Sequence, residues 1–457
     1  MPGRYHLLSV LSIFATWLVV GLATPLTRNW NGTTVKHSWN AVPEFWETLG
    51  HPPADTTIDL YLELKPQHED ALTDALREVS DPRHAKYVPP PPIRARMNPF
   101  VPLSRCRYGA HLSREQVTDL VAPHPDTLNL VNSWLEDHGV PPSSVSMTLG
   151  GNWLIVAAVP VPQANVILGA SYQLYQHVEM NDTVLRTVSY SLPEALHGHI
   201  QTVAPTTYFG SLRTQWKTSR IRPSGVAAAR AKAGPEELVT VPPSRKTPVT
   251  PSYLRLLYHT LGYVPAAVGQ NAIGTAGYRM EYPSPQDLSA FMKEYRTDGE
   301  DATFTVVPIN GGVYDPNNPG IEASLNLQFA EAITYPTRNI YYSTGGQLNT
   351  ATDPYLHWLA YLLKQKSIPQ TISTTYGGPE YSAPQGYAVG LCHLFAQLGL
   401  RGVSVIFSSG DWGVGRGNCV RFLPEFPASC TCGVLYSLSE SGTQTWIQVT
   451  HNTTTLS

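Results

Sequence analysis

A carboxylate and a carboxamide stand four residues apart at Glu322 and Asn326, inside the stretch I-E-A-S-L-N-L-Q-F-A that follows a Gly311-Gly312 pair. Four residues is the helical repeat that puts two side chains on one face, so a helix here turns both groups toward the same cleft. A plain helix start is the competing reading, because a glutamate in the first turn also suits the helix dipole. A third polar group, Asp411, sits in F-S-S-G-D-W-G, where a tight turn after an apolar strand needs glycine and tolerates aspartate. His197-Gly198-His199 offers two imidazoles but no third ligand close by in sequence. G-x-S-x-G, H-E-x-x-H, the P-loop and G-x-G-x-x-G on a strand-to-helix turn are all missing, which removes the usual hydrolase and nucleotide-binding readings.

The elements that must position these groups fall into two sets. In the first, residues 56–64 alternate, with Ile58, Leu60, Leu62 and Leu64 on one face and Asp59, Tyr61 and Glu63 on the other, as a half-buried strand requires. Residues 71–79 carry apolar positions at helical spacing, Ser113-Arg114-Glu115-Gln116 is a capping box, and residues 128–135 form another apolar stripe that stops at Gly139. Residues 153–159 predict a strand, 162–170 a helix, and 173–190 a hairpin turning at Asn181-Asp182. This order predicts an α+β unit with one mostly antiparallel sheet.

In the second set, strands are expected over residues 304–310, 370–375 and 403–408, and helices over 322–333 and 356–364. Alternating strands and helices imply a mainly parallel sheet, whose ligand sites lie at the carboxyl ends of its strands. The turn carrying Asp411 occupies that kind of position. Residues 88–107 are a Pro- and Arg-rich interruption between S-D-P-R-H-A-K-Y and Y-G-A-H-L-S, and the tail after Cys430 is Ser/Thr-rich without clear periodicity.

The 457 residues are 42% hydrophobic and 14% charged, enough apolar chain for two or three packed domains. A formal charge of -3 with no dense Lys/Arg cluster leaves nucleic acid and membrane surfaces without an electrostatic footprint. Arg4 and His6, the apolar run 7–22 and small residues at 21 and 23 predict a signal peptide cut after Ala23, hence a secreted, extracellular product. Secretion gives meaning to the sequons at Asn31, Asn181 and Asn452 as glycosylation sites. Five cysteines make an odd number, and Cys419 with Cys430 is the expected local bridge; Cys430-Thr431-Cys432 lacks zinc spacing.

Several ordered motifs together resemble the sedolisin family of serine-carboxyl peptidases, with the tripeptidyl-peptidase type nearest. They are G-G-(x)9-E-A-S-L-N-L-Q-F-A (311–330), Q-T-I-S-T-T-Y-G (370–377), R-G-V-S-V-I-F-S-S-G-D-W-G-V-G (401–415) and F-P-A-S-C (426–430). V-T-P-S-Y-L-R-L-L-Y (249–258) resembles the start of the mature enzyme, and Y-G-A-H-L-S, L-V-A-P-H-P, S-W-L and V-A-P-T-T-Y-F-G resemble its prosegment. The likeness covers about residues 40–430 apart from the interruption and implies an α+β prosegment at 24–212 and the first part of an α/β, subtilisin-like catalytic domain at 249–430; the signal peptide at 1–23, a basic processing linker at 213–248 and a divergent tail at 431–457 complete the expected organisation.

Carried over by position, the resemblance makes Glu322 the general base toward a serine, Asp411 the oxyanion-stabilising residue, and position 326 that of an orienting aspartate, here Asn326. It implies peptide or protein substrates, acid-active cleavage and a prosegment acting as an intramolecular inhibitor. It also implies calcium in the full-length family, with no ligands for it in this chain. The serine motif falls after F-P-A-S-C in the family; Ser441-Gly442-Thr443-Gln444 imitates it with Gln444 in the serine's place. Residues 1–457 are therefore expected to lack the nucleophile, and a sheet without its later strands is expected to leave an unpaired edge and a poorly stable domain. The alternative is a non-catalytic secreted relative whose prosegment binds or inhibits an active peptidase.

Overall fold

The computed structural model describes residues 30, 32–80, 111–147, 150–179, 182–210, 249–266, 268–346, 353–408, 410 and 423–430, and the backbone of 436–441 and 444–449. The expected signal peptide, the interruption at 88–107, the linker at 213–248, Asn31, Asn181, Asn452 and Asp411 lie outside them.

The first unit runs β1 (Thr33–Ser38), β2 (Trp46–Gly50), β3 (Thr57–Leu64), α1 (Ala71–Ser80), α2 (Arg114–Leu120), α3 (Pro125–Asp137) and β4 (Val145–Met147). It continues with β5 (Trp153–Pro160), α4 (Val161–Leu168), β6 (Gln173–His177), β7 (Thr183–Arg186), β8 (Ser189–Pro193) and β9 (Ile200–Ala204). Its pairings are antiparallel, as the sequence predicts, but they form three sheets rather than one: β4-β5-β3-β9, β2-β6-β7 and β1-β8. The expected hairpin is β6-β7; after it the chain leaves that sheet at Arg186, and β8 pairs with β1 instead. The capping box is present, with Ser113 Oγ accepting from Gln116 N and Gln116 Oε1 accepting from Ser113 N.

The second unit runs α5 (Pro251–Leu257), β10 (Ala272–Gly277), α6 (Pro285–Tyr295), β11 (Phe304–Ile309), α7 (Ile321–Thr334), β12 (Arg338–Thr344) and α8 (Pro354–Lys364). Then come β13 (Thr371–Thr374), β14 (Gly378–Pro379), α9 (Gln385–Leu400), β15 (Ser404–Phe407) and β16 (Glu425–Phe426). Five strands form a parallel sheet in the order β11-β12-β10-β13-β15, so all point their carboxyl ends to one edge. In the tail, β17 (Tyr436–Ser441) pairs antiparallel with β18 (Gln444–Val449), so the segment expected to lack periodicity forms a hairpin with Ser441 opposite Gln444. The expected Cys419–Cys430 bridge is also corrected: Cys430 is bonded to Cys392 on α9.

The strand β3 departs from the half-buried pattern. Tyr61 and Glu63, on its polar face, are buried as fully as the leucines, because that face lies against the second unit. Glu63 Oε1 lies 3.1 Å from His393 Nδ1 on α9, and Tyr61 Oη 3.2 Å from His357 Nδ1 on α8. One core cluster joins Tyr61, Trp153, Ala204 and Tyr208 to Trp358, Tyr387, Leu391 and Phe407 across the two units, and a second joins α1 and α2 to Ala396 and Leu400. Gly390 makes the approach possible: a Cβ there would stand 2.3 Å from Glu63 Oε2 and 3.1 Å from Trp153 Cζ2. Gly390→Ala is therefore expected to loosen the first unit by about 1–3 kcal/mol, read as faster hydrogen exchange of the β3 amides. Gly386→Ala, whose Cβ would make an ordinary 3.4 Å contact with Gln201 O, is the control. Equal exchange in the two variants would refute this packing.

Candidate functional site

The site forms at the carboxyl edge of the parallel sheet, where β11 runs out through Asn310 (φ 48°) and Gly311 (φ 71°) into the loop that leads to α7. Gly312 cannot carry a side chain, since a Cβ would stand 1.8 Å from Ser343 O at the end of β12. The loop is hooked back onto the segment between β10 and α6, Gly320 N donating to Tyr282 O at 2.9 Å, and this sets where α7 begins.

Glu322, one residue into α7, is buried. Burial pushes its carboxyl above the ordinary carboxylate range, while hydrogen bonds from Thr375 and Asn326 pull the other way. Asn326 Nδ2 also donates to Thr375 Oγ1 at 2.7 Å. The structure thus brings Glu322 and Asn326 onto one face, as their spacing predicts. It uses Asn326 as a donor, a role an ionised aspartate could not fill. Thr375 immediately follows β13, and its carbonyl accepts from Ser408 Oγ at 3.2 Å at the end of β15, the strand that leads toward Asp411.

The sequence reading missed Thr375 and Glu281. Thr375 lies inside the Q-T-I-S-T-T-Y-G motif, where residues 370–375 predict a strand and nothing in the spacing marks its hydroxyl. Glu281, after β10, has its carboxyl against the start of α7. Burial and the neighbouring charge of Glu322 raise its pKa, opposed by the backbone N–H groups of Ala323 and Glu322 and by Arg279. No periodicity signals such a residue, since it reaches the site from a loop.

His197 and His199 are taken up locally, His197 Nε2 lying 2.7 Å from Thr34 Oγ1 and His199 Nδ1 2.7 Å from Thr127 Oγ1. Among the described residues no group of three His, Cys, Asp or Glu side chains could hold a metal ion. A cleft of about 480 Å³ lined by Arg114, Lys366 and Arg401 lies at the opposite, amino edge of the sheet and is separate from the site.

Residues 103–209 match the pro-kumamolisin activation domain. Tripeptidyl-peptidase SED2 of Arthroderma otae is 30% identical over 436 residues, covering 90% of this chain and 68% of that protein. The chain belongs to the sedolisin family. Tripeptidyl-peptidase SED3 of the same organism is 32% identical over 419 residues, covering 85% of this chain and 64% of the relative. This sedolisin-family chain thus spans about two thirds of the length of the curated relatives it matches. The Pseudomonas sedolisin solved with two molecules of pseudo-iodotyrostatin is 16% identical, covering 41% of this chain and 52% of its own at a TM-score of 0.31, too loose a likeness to carry an argument. Family membership makes the chain part of a serine-type peptidase lineage with an activation prosegment.

Proposed function

We propose that the chain is the precursor form of a secreted, acid-active tripeptidyl peptidase. Its residues 24–212 act as prosegment, and its second unit, of subtilisin-like type, supplies the carboxyl half of the catalytic machinery. The observation that carries this reading is the buried Glu322, held by Thr375 and Asn326 at the carboxyl edge of a parallel sheet. In this reading Glu322 takes the proton of a serine hydroxyl as it attacks the substrate carbonyl, then returns it to the leaving amine. A carboxylate performs this at acid pH, where a histidine would already be protonated. Asp411, protonated, would donate to the oxyanion.

Secretion is supported by the apolar N-terminal run and by the Cys392–Cys430 bridge, which suits an oxidising compartment. Among the described residues no helix is long and apolar enough to cross a membrane. Among the described residues no group of side chains fits the calcium that the family resemblance implies. The core shared by the two units supports a prosegment that stays docked as an intramolecular inhibitor until it is cut away.

The test is to express the protein through the serine motif that the family resemblance places after residues 426–430, and to treat it at acid pH with a peptide bearing a free N-terminus and with the same peptide acetylated. Release of tripeptides from the free peptide alone is expected. Internal cleavage of both would replace exopeptidase by endopeptidase action, and no cleavage of either would refute the reading.

A further inference from the structure

We propose that Glu281 is the second carboxyl of this site, a positioning residue that shares a proton with Glu322 in place of the carboxylate absent at position 326. The inference rests on the reading of Glu322 as base. Glu281 is fixed from both sides: its carbonyl accepts from Tyr341 Oη at 2.7 Å, and the next carbonyl, that of Tyr282, accepts from Gly320 N at 2.9 Å. Its side chain fills the place where the cap of α7 would otherwise put one. A Cβ on Gly320 would stand 2.6 Å from Glu281 Cβ and 2.8 Å from its Oε2, and α7 has no side-chain cap of its own. The carboxyl therefore lies at the helix start, against the backbone N–H groups of Glu322 and Ala323.

Glu281 Oε2 is buried and has no hydrogen-bond partner. A buried acceptor without a donor is costly, and one proton held between two carboxyls supplies the missing donor. The amide of Asn326 is engaged with Thr375 and cannot hold such a proton. The other charged and titratable groups around Glu281 are Arg279, paired in two places with Asp182 of the first unit, and the phenols of Tyr341 and Tyr376. Burial raises both carboxyls, and the neighbouring charge of Glu322 raises Glu281 further. The proton balance is simple. With the shared proton on Glu281, Glu322 is the carboxylate that accepts the serine's proton; both are then neutral, and delivery of that proton to the leaving amine restores the pair.

The experiment follows the two carboxyls by carbon-13 NMR in full-length protein labelled at glutamate Cδ. In Glu281→Gln the midpoint of Glu322 is expected to fall by about one pH unit, a tenfold change in proton affinity, and Glu322→Gln should do the same to Glu281. Glu281→Gln should lower kcat with KM nearly unchanged and move the acid limb of the pH profile down by the same unit. Asn326→Asp in that background should restore it. Unmoved midpoints in both single variants overturn the proposal; if Glu281→Gln does not fold, the Glu281 midpoint in Glu322→Gln decides alone. Full tripeptide release by Glu322→Gln would instead sink the reading of Glu322 as base, and the reciprocal shifts would still stand or fall by themselves.

Discussion

Glu322→Gln is expected to lower kcat/KM of the full-length enzyme by about 10²–10⁴, the range a positioned general base supplies. The substitution is nearly isosteric and keeps an acceptor for the Thr375 and Asn326 donors, so the helix start and its burial are retained. What it removes is the ability to take a proton. The loss should therefore fall on kcat, with KM within a few-fold of the parent, since an interaction confined to the transition state leaves ground-state binding alone. Activity within tenfold of the parent would remove Glu322 from the chemistry.

The second large effect concerns Glu331, at the far end of the same helix. Its pKa is raised to about 7, chiefly by burial, with the Asn339 side chain pulling the other way. Glu331 Oε2 and Asn339 Oδ1 are both buried acceptors without partners, and a proton on Glu331 brings the cluster one further donor. Because the folded-state pKa lies above the unfolded one, the contribution is fully present below about pH 4.5. It is lost as pH rises, and is gone once pH passes about 7. The difference is roughly 3 kcal/mol across that window. Denaturant unfolding at pH 4.5 and 7.5 should show the parent losing about that much more stability than Glu331→Gln. Parallel losses would overturn the assignment.

How far these features can be read from sequence depends on what covers them. The strand at residues 57–64 and the helices at 71–80, 125–137 and 321–334 declare themselves because apolar and polar positions alternate or recur. The most central helix, α9, does not. It is packed on one side by the parallel sheet and on the other by the first unit, so it is apolar nearly all round, and Gly386, Gly390 and Gly399 interrupt it. The same docking hid the true state of Glu63, whose place in an alternating pattern promised solvent. Glu322 and Asn326 were legible because one helix carries both. Glu281 and Thr375 arrive from other strand ends, and only the folded sheet makes them neighbours of Glu322.

The glycine notch at Gly390 and the aromatic residues around it carry a last consequence. Tyr61, Trp153, Ala204 and Tyr208 of the first unit complete a core whose remaining buried members, Tyr387, Leu391 and Leu394 among them, belong to the second. When the first unit is cut away and leaves, that surface turns outward as a broad greasy scar around an imidazole that has lost its carboxylate. The liberated half should stick to detergents, to hydrophobic resins and to itself in a way the uncut precursor does not.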